Sequence, residues 1–284
     1  MVDVDAAIGF VVAHGDVVDR SRLSWLCSGT PAPQEVLDKA ELGQARKGGW
    51  PALWNGPVAS IDATCFRLGE LDDLGALDRP AAQEALGWLA GRQRPDGTWQ
   101  EDDSLAGSAP SWARPGDPEA QLYLTTNAAF WLAVGGPVAD HGRHAYGPRS
   151  EENVYAAEVA RAAEAFRASL RPDTSWPSFL PTGWLGAAVL HHLGWFYESA
   201  QIRVLLAERV STLTPGDCAW MAASLRRVGI ALDDWLLVAA AGRLGETQRS
   251  DGGWPSDDGN VFDVHTTLSA IRALRGEVGG SAAT

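Results

Sequence analysis

Four polar residues stand near the starts of predicted apolar helices. They are Asp62, Thr125, Asp217 and His265, and they fall at equivalent places when these helices are aligned by their position in a repeat. If the helices close into a ring, the four side chains converge on the mouth of its cavity, where a ligand head group or a reacting atom would sit. We therefore predict catalytic roles for Asp62, Asp217 and His265 and a substrate-binding role for Thr125.

Tryptophan is unusually frequent among the aromatic residues, and Trp faces that line an apolar cavity can stabilise a cationic ligand or intermediate. The chain has 13 Trp against 4 Tyr and 7 Phe, and Trp131, Trp184 and Trp220 lie on predicted inner helices, where we expect them to bind substrate. For Asp62, the interpretation that competes with catalysis is that it only caps the helix that follows it.

The elements that must position these residues follow a seven-residue signature: Gln, three residues, Gly, one residue, Trp. It occurs intact at 44–50 (QARKGGW), 93–99 (QRPDGTW) and 248–254 (QRSDGGW), and degraded copies occupy 171–176 and 214–220. Each intact copy follows a stretch with helical spacing. The signature predicts a helix that closes at the Gln, a turn with positive φ at the Gly, and a Trp that packs back on the helix.

The signatures divide the chain into helical hairpins. We predict inner helices over 61–71, 125–134, 183–192, 217–228 and 265–274, and amphipathic outer helices over 80–92, 154–170 and 232–247. Sustained strand alternation is absent from the sequence. Because hairpins that each leave an apolar face unburied must stack or close on themselves, we predict an all-α fold: a single α/α toroid of five or six hairpins, forming one domain over 1–284.

Composition excludes several classes of function. The net charge of −13 with only two lysines argues against nucleic acid as a partner, because phosphate binding depends on Lys and Arg. The sequence has no apolar run near the roughly 18 residues of a membrane span, and its acidic beginning is unlike a secretory signal. Cys27, Cys65 and Cys218 are unclustered, which is typical of a reducing compartment. We predict a cytoplasmic protein.

Two inserted segments, 100–121 and 135–152, are longer than a helix connection usually needs. We interpret them as candidate lids over the cavity. The second contains a small basic group that would meet a phosphate if the segment folds over the mouth: His141, Arg143, His144 and Arg149.

The signatures resemble those of squalene-hopene cyclases, class II terpene cyclases and protein prenyltransferase β-subunits. The resemblance covers about 44–274 and lies nearer the terpene-cyclase branch. In that branch the proton donor is the central Asp of an Asp-x-Asp-Asp-Thr motif at the start of an inner helix. Residues 60–64 (SIDAT) keep the central Asp, as Asp62, and the Thr, while Ser60 and Ala63 replace the flanking acids. The resemblance thus implies an enzyme that cyclises a polyprenyl or terpenoid substrate by protonation from Asp62.

The residues leave other interpretations open. The resemblance to the protein prenyltransferase branch, which binds zinc through an Asp, a Cys and a His, implies one of them: a prenyltransferase-like enzyme with Asp217, Cys218 and His265 as ligands and a fourth position open. Another is a non-catalytic isoprenoid-binding or scaffold protein that has lost the acid motif. The acidic pairs 102–103 and 257–258 would hold Mg²⁺ against a diphosphate.

The leading prediction has no metal or cofactor and an isoprenoid small molecule as its substrate. Familiar cyclases of this type place the active site between two helical domains, whereas this chain is long enough for one. A homodimer or a partner subunit is therefore compatible with the prediction.

Overall fold

The computed structural model describes residues 2–52, 57–136 and 153–275. Over these ranges the chain forms twelve α-helices and one pair of two-residue strands, so the predicted all-α class is confirmed. The strands β1 (Trp50–Pro51) and β2 (Ala59–Ser60) are antiparallel, with Trp50 opposite Ser60. The helices are α1 (Val4–His14), α2 (Val17–Ser28), α3 (Gln34–Glu41), α4 (Ile61–Asp73), α5 (Pro80–Ala90), α6 (Pro118–Gly135), α7 (Ala156–Ser169), α8 (Leu180–His192), α9 (Phe196–Ala207), α10 (Pro215–Arg227), α11 (Trp235–Thr247) and α12 (Asp263–Leu274).

The described residues form two compact units. The first is drawn from Met1–Ala40, Asp73–Gly75 and Leu206–Thr284, and the second from Glu41–Asp72 and Ala76–Leu205. In the first unit α12 packs against α1, α2 and α10, and in the second α6 packs against α5, α7 and α8. The prediction of one domain over the whole chain stays a prediction.

Burial separates two kinds of helix. Most residues of α6 and α8 are buried, whereas α7 buries only a stripe, formed by Val159, Ala162, Ala163 and Phe166. A stripe with this spacing is the core-facing side of an amphipathic helix. In the described ranges, none of the helices combines the length and the apolar character that a bilayer span requires.

Each intact signature joins three helices through the same hydrogen bonds. The Trp backbone N–H donates to a Thr hydroxyl in the next buried helix: Trp50 to Thr64, Trp99 to Thr125 and Trp254 to Thr267, at 2.9, 3.0 and 3.1 Å. The indole Nε1 donates to a carbonyl in the last turn of the helix just completed: Glu41, Leu89 and Leu244. The Gln side chain donates to a carbonyl at the start of another helix: Ala81, Glu158 and Asp3. The predicted packing of the Trp on the helix it leaves is confirmed.

The third signature binds the first helix of the chain. Gln248 Nε2 donates to the Asp3 carbonyl, and the Asp3 N–H donates back to Gln248 Oε1, both at 2.8 Å. Within the first unit, α1 thus takes the position that α5 and α7 take beside the other two signatures.

The degraded copy at 171–176 keeps the turn although it lacks the Gly. Arg171 N–H donates to the Ser175 carbonyl and Thr174 N–H to the Arg171 carbonyl, as in the intact copies. Thr174 has φ +63°, the only positive φ at a non-glycine in the described residues. Its hydroxyl and the Asp173 side chain hydrogen-bond locally, which helps a non-glycine residue hold this conformation.

Replacing the signature glycine Gly97 by Ala is expected to destabilise the protein by about 2–4 kcal/mol. Gly97 has φ +84°, and a Cβ there would lie 2.7 Å from the backbone oxygen of Arg161, so the substitution combines backbone strain with overpacking. The matched control is Gly107→Ala, because a Cβ at Gly107 meets nothing within 4 Å. Urea unfolding of both variants measures the difference, and equal stabilities would contradict the explanation.

Candidate active site

Two residues from different segments build the start of α4. Ser60 takes the capping position, since the Ala63 N–H donates to Ser60 Oγ at 3.1 Å. The Glu101 carboxylate accepts from Ser60 Oγ at 2.7 Å, from Ile61 N at 2.9 Å and from Asp62 N at 3.0 Å. The cap of this helix is therefore Ser60 with Glu101, and Asp62 lies inside the first turn with its carboxyl group directed elsewhere.

The Asp62 carboxyl group is held by two aromatic side chains. Tyr123 Oη donates to Asp62 Oδ1 at 2.9 Å, and Trp112 Nε1 donates to Asp62 Oδ2 at 3.1 Å. Asn127 Nδ2 in turn donates to Tyr123 Oη at 3.2 Å. Asp62 is half-buried, and Trp112 is 42% exposed. Hydrogen bonds from fixed donors stabilise the carboxylate that remains once an acid has lost its proton.

Aromatic side chains continue from Asp62 along α4 and α6. Tyr123, Asn127 and Trp131 are four residues apart and share one face of α6. The Trp131 ring lies against Gly69 of α4, where an added Cβ would be 3.3 Å from Trp131 Cζ2. Phe66, one turn after Asp62 on α4, is 49% exposed. The structure therefore places Trp131, a predicted substrate-binding residue, on the same helix face as the tyrosine that holds Asp62.

Burial raises the pKa of two groups around Asp62, Glu101 and Tyr123. Burial raises the pKa of Glu101 to about 7, and the Asp62 charge adds to this, against the hydrogen bonds from Ser60, Asp62 N and Ile61 N that favour the carboxylate. Burial also raises the pKa of Tyr123 well above its usual value, with the Asp62 charge and hydrogen bond as further causes. Tyr123 is thus a neutral donor, while Glu101 titrates near neutral pH.

The signature contacts correct the predicted alignment of Thr125 with Asp62. The three threonines that accept from a signature Trp are Thr64, Thr125 and Thr267, and the residues two places earlier are Asp62, Tyr123 and His265. Thr125 is 0% exposed, and its hydroxyl both accepts from Trp99 N and donates to the Gln121 carbonyl. Thr125 therefore has the repeat role of Thr64, and Tyr123 is the equivalent of Asp62.

Asp217 and His265 belong to the first unit, whereas Asp62 and Thr125 belong to the second. Asp217 lies in the first turn of α10, and its pKa is raised by burial and by the Asp257 carboxylate. His265 Nδ1 lies 2.8 Å from an Arg22 guanidinium nitrogen. The convergence of all four side chains on one site, and the catalytic roles of Asp217 and His265, stay predictions.

Zinc binding through Asp217, Cys218 and His265 stays a prediction. Cys218 is fully buried, its Sγ donates to the Ala240 carbonyl at 3.5 Å, and burial raises the pKa of the thiol to about 12. Zinc binds the thiolate form of cysteine. Across the described ranges, no three His, Cys, Asp or Glu side chains form a group that could hold a metal ion.

The acidic pairs have local roles in their loops. Asp102 accepts from the N–H and hydroxyl of Ser104 at 3.0 and 2.7 Å, which caps the short 3₁₀ turn Asp103–Leu105. Asp257 accepts from Thr214 Oγ1 at 2.5 Å. Asp102 and Asp257 thus hydrogen-bond within the protein, and magnesium binding by the two pairs stays a prediction.

Two further predicted substrate-binding residues, Trp184 and Trp220, lie on different helices. Trp184 is fully buried in α8, and Trp220 is half-buried in α10 of the first unit. The basic group His141, Arg143, His144 and Arg149, and most of the second candidate lid, lie outside the described residues. The first candidate lid supplies both Glu101 and Trp112.

Sequence reasoning missed three residues of this site: Glu101, Trp112 and Tyr123. A signal existed for Tyr123, because the Asp-x-Thr spacing of residues 62–64 recurs as Tyr-x-Thr at 123–125. Glu101 and Trp112 lie in a loop 39 and 50 residues from Asp62, and no spacing rule relates that loop to the start of α4.

No known family profile matches the sequence, and no curated protein matches it. Solved structures do match. Type II terpene cyclase MstE from Scytonema, in its apo form, superposes with a TM-score of 0.56 at 16% identity, over 95% of this chain and 96% of that chain. An MstE variant in complex with geranylgeranyl dihydroxybenzoate (substrate) gives a TM-score of 0.61 at 16% identity, over 95% of both chains. This chain has the fold of a type II terpene cyclase.

A protein from Actinoplanes shares this terpene-cyclase fold, with a TM-score of 0.58 at 18% identity over 96% of this chain and 97% of that chain. The matches run over nearly the full length of each chain. They confirm the all-α hairpin fold that the signatures predicted, and they support the terpene-cyclase branch of the resemblance at the level of fold.

Proposed function

We propose that this protein is a type II terpene cyclase in which Asp62 protonates a double bond of a polyprenyl substrate. The observation that carries the proposal is the Asp62 carboxyl group, held by Tyr123 and Trp112 at the start of α4. Residues 60–64 keep the central Asp of the terpene-cyclase motif as Asp62, and the resemblance makes that residue the proton donor. Both lines of argument therefore select the same carboxyl group.

The chemistry follows from this geometry. Neutral Asp62 donates its proton to one alkene carbon, a C–H bond forms, and the other alkene carbon becomes cationic. The carboxylate left on Asp62 is stabilised by the hydrogen bonds from Tyr123 and Trp112, which are in place before the reaction and need no reorganisation. A second double bond of the substrate then attacks the cation and closes a ring. The final cation loses a proton to give an alkene or captures water to give an alcohol.

The aromatic residues beyond Asp62 suit the cation. An aromatic face attracts a positive charge through its quadrupole and offers no nucleophile. Phe66 and Trp131 follow Asp62 along α4 and α6, and Tyr123 keeps its phenol proton because its pKa is raised. A cation that moves along the chain as rings close would meet these faces in turn.

The matched structures guide the choice of substrate and assembly. One MstE structure is a complex with geranylgeranyl dihydroxybenzoate (substrate) and another with merosterolic acid A (product), so a geranylgeranyl chain is the first substrate to test here. This chain covers 95% and 94% of those two chains. We therefore propose that one chain of this length carries a complete site, without a partner subunit.

The test is turnover in D₂O. The protein is incubated with geranylgeranyl dihydroxybenzoate, geranylgeranyl diphosphate, farnesyl diphosphate and squalene, and products are analysed by mass spectrometry. We expect a cyclised product that carries one deuterium at the carbon protonated first, because the acid exchanges its proton with solvent. Cyclised product without deuterium would contradict protonation. Binding of these substrates without any product would favour the isoprenoid-binding alternative over an enzyme.

A further inference from the structure

The motif carried by the start of α4 has lost two acids. Ser60 and Ala63 stand where the resemblance expects carboxylates, which leaves Asp62 as the only acid within residues 60–64. A buried carboxylate nevertheless lies beside this segment, because Glu101 reaches it from the loop after the second signature.

We propose that Glu101 is the second acid of the Asp62 site: it supplies from another segment the carboxylate that positions 60 and 63 lack, and its titration is coupled to that of Asp62. This inference rests on the proposed function. Glu101 is a positioning residue, since it contacts Asp62 through the backbone of α4 and not the substrate.

The contacts of Glu101 give it a fixed place. One of its oxygens accepts from Ser60 Oγ and Asp62 N, and the other accepts from Ile61 N. Glu101 is 2% exposed and Ser60 is 0% exposed. Three hydrogen bonds at a buried helix start hold the carboxylate beside the residue whose protonation matters.

Burial moves the titration of Glu101 into the neutral pH range. Two carboxyl groups whose charges interact hold one proton more readily than they both ionise, and burial together with the Asp62 charge raises the pKa of Glu101 to about 7. With Glu101 ionised, its charge opposes ionisation of its neighbour. The pair therefore retains a proton for catalysis at neutral pH, and activity falls as the pH rises through this range and the pair loses that proton.

Other titratable groups near the pair do not compete for this role. The group facing Asp62 from α6 is Tyr123, and the thiol in the next turn of α4 is Cys65. Burial raises the pKa of both well above their usual values, with the Asp62 charge as a further cause for each. Both stay neutral through the range in which Glu101 titrates.

A purely structural role predicts something different. If Glu101 only capped α4, its removal would lower stability and leave the shape of the pH profile unchanged in the folded enzyme. If its titration is coupled to that of Asp62, its removal changes the pH dependence of kcat. The pH profile therefore separates the two roles.

The experiment compares wild-type protein, Glu101→Gln and the exposed-loop control Asp103→Asn, using the best substrate from the D₂O assay. Glutamine keeps the shape of Glu101 and an oxygen acceptor but loses the charge. We expect Glu101→Gln to lower kcat at pH 7 by 10-fold or more, to change KM by less than 3-fold, and to move the alkaline limb of the kcat–pH profile by at least one pH unit toward acid. Asp103→Asn should match wild type. An unmoved limb in folded Glu101→Gln would overturn the inference.

A second measurement does not depend on turnover. Carboxyl ¹³C NMR of wild-type protein and of Asp62→Asn follows the titration of Glu101 directly. We expect the Glu101 titration to move to lower pH in Asp62→Asn, because the neighbouring charge is gone. An unchanged titration would overturn the coupling of the two carboxyl groups even if the enzyme is active. A shifted titration in a protein that turns over none of the substrates would support the acid pair and count against the proposed function alone.

Discussion

Replacing Asp62 by Asn is expected to lower kcat by about 10²–10⁴-fold, the contribution typical of a general acid. Asparagine keeps nearly the same shape and an oxygen that accepts from Tyr123 or Trp112, but it has no acidic proton to donate. Because the site geometry is otherwise preserved, the dissociation constant for substrate should change by less than about 3-fold, which corresponds to under 1 kcal/mol.

Two controls make this result specific. Asp103→Asn removes an acidic charge from an exposed loop position and should leave kcat unchanged. Thermal unfolding of Asp62→Asn shows whether the fold survives. Single-turnover kinetics with isotopically labelled substrate then measure the chemical step by itself. Undiminished cyclisation in a folded Asp62→Asn protein would remove Asp62 from the mechanism.

Replacing Asp73 by Asn is expected to cost about 3–5 kcal/mol of the free energy of unfolding, the typical cost of removing one partner from a buried ion pair. Asp73 is 2% exposed and belongs to the first unit. It accepts from the guanidinium groups of Arg22, Arg227 and Arg272 at 2.8, 2.8 and 2.7 Å. An amide keeps the shape but leaves the three cations without the charge they share.

The pH dependence of this effect has a definite sign. Burial would raise the pKa of Asp73, but Arg272, Arg227 and Arg22 outweigh it and hold the pKa well below its usual range. The folded state therefore binds fewer protons than the unfolded state at acid pH, and stability is gained as the pH rises toward the unfolded value. The contribution of Asp73 to stability is fully present above about pH 4. It is lost progressively as the pH falls from there through the pKa of the folded state.

Urea unfolding at pH 7 and at pH 3 measures the Asp73 contribution. The matched control is Asp233→Asn, at an exposed position of the first unit, which should stay within about 0.5 kcal/mol of wild type. We expect the gap between wild type and Asp73→Asn to narrow at pH 3. A gap that is the same at both pH values would show that the loss comes from packing and not from charge.

The sequence predicted the hairpins well because the signature is made of local contacts. The Trp of each intact copy bonds to a Thr 14, 26 or 13 residues later in the chain, and to a helix that ends a few residues before it. The turn, the Trp and its Thr lie close together in the chain, so their spacing is visible in the sequence, whereas the carbonyl that accepts from the Gln lies 37, 65 or 245 residues away. The glycine is not a sufficient marker of the turn, because Thr174 adopts the same positive φ where the expected glycine is absent.

The site was only partly predictable because it joins segments that no repeat relates. The motif pointed to Asp62. The alternative that Asp62 caps α4 is wrong, because Ser60 and the carboxylate of Glu101, from a distant loop, form that cap. Thr125 was aligned two residues out of register, since polar residue type was used in place of the Trp-to-Thr contact. Zinc ligation through Asp217, Cys218 and His265 came from the resemblance to the prenyltransferase branch and stays a prediction, while the structure adds that the Cys218 thiol donates to the Ala240 carbonyl of α11.

The hydrogen bonds between Asp3 and Gln248 have a consequence for biosynthesis. They connect groups 245 residues apart in sequence, and a ribosome delivers the N-terminal partner long before the C-terminal one. The first helix can pack against α2 early, but its contacts with the last signature and α12 form only after these have emerged. The second unit contains the uninterrupted stretch Ala76–Leu205 and has no such delay for that stretch. We expect the slow phase of refolding to be the closure of the long chain segment between Asp3 and Gln248.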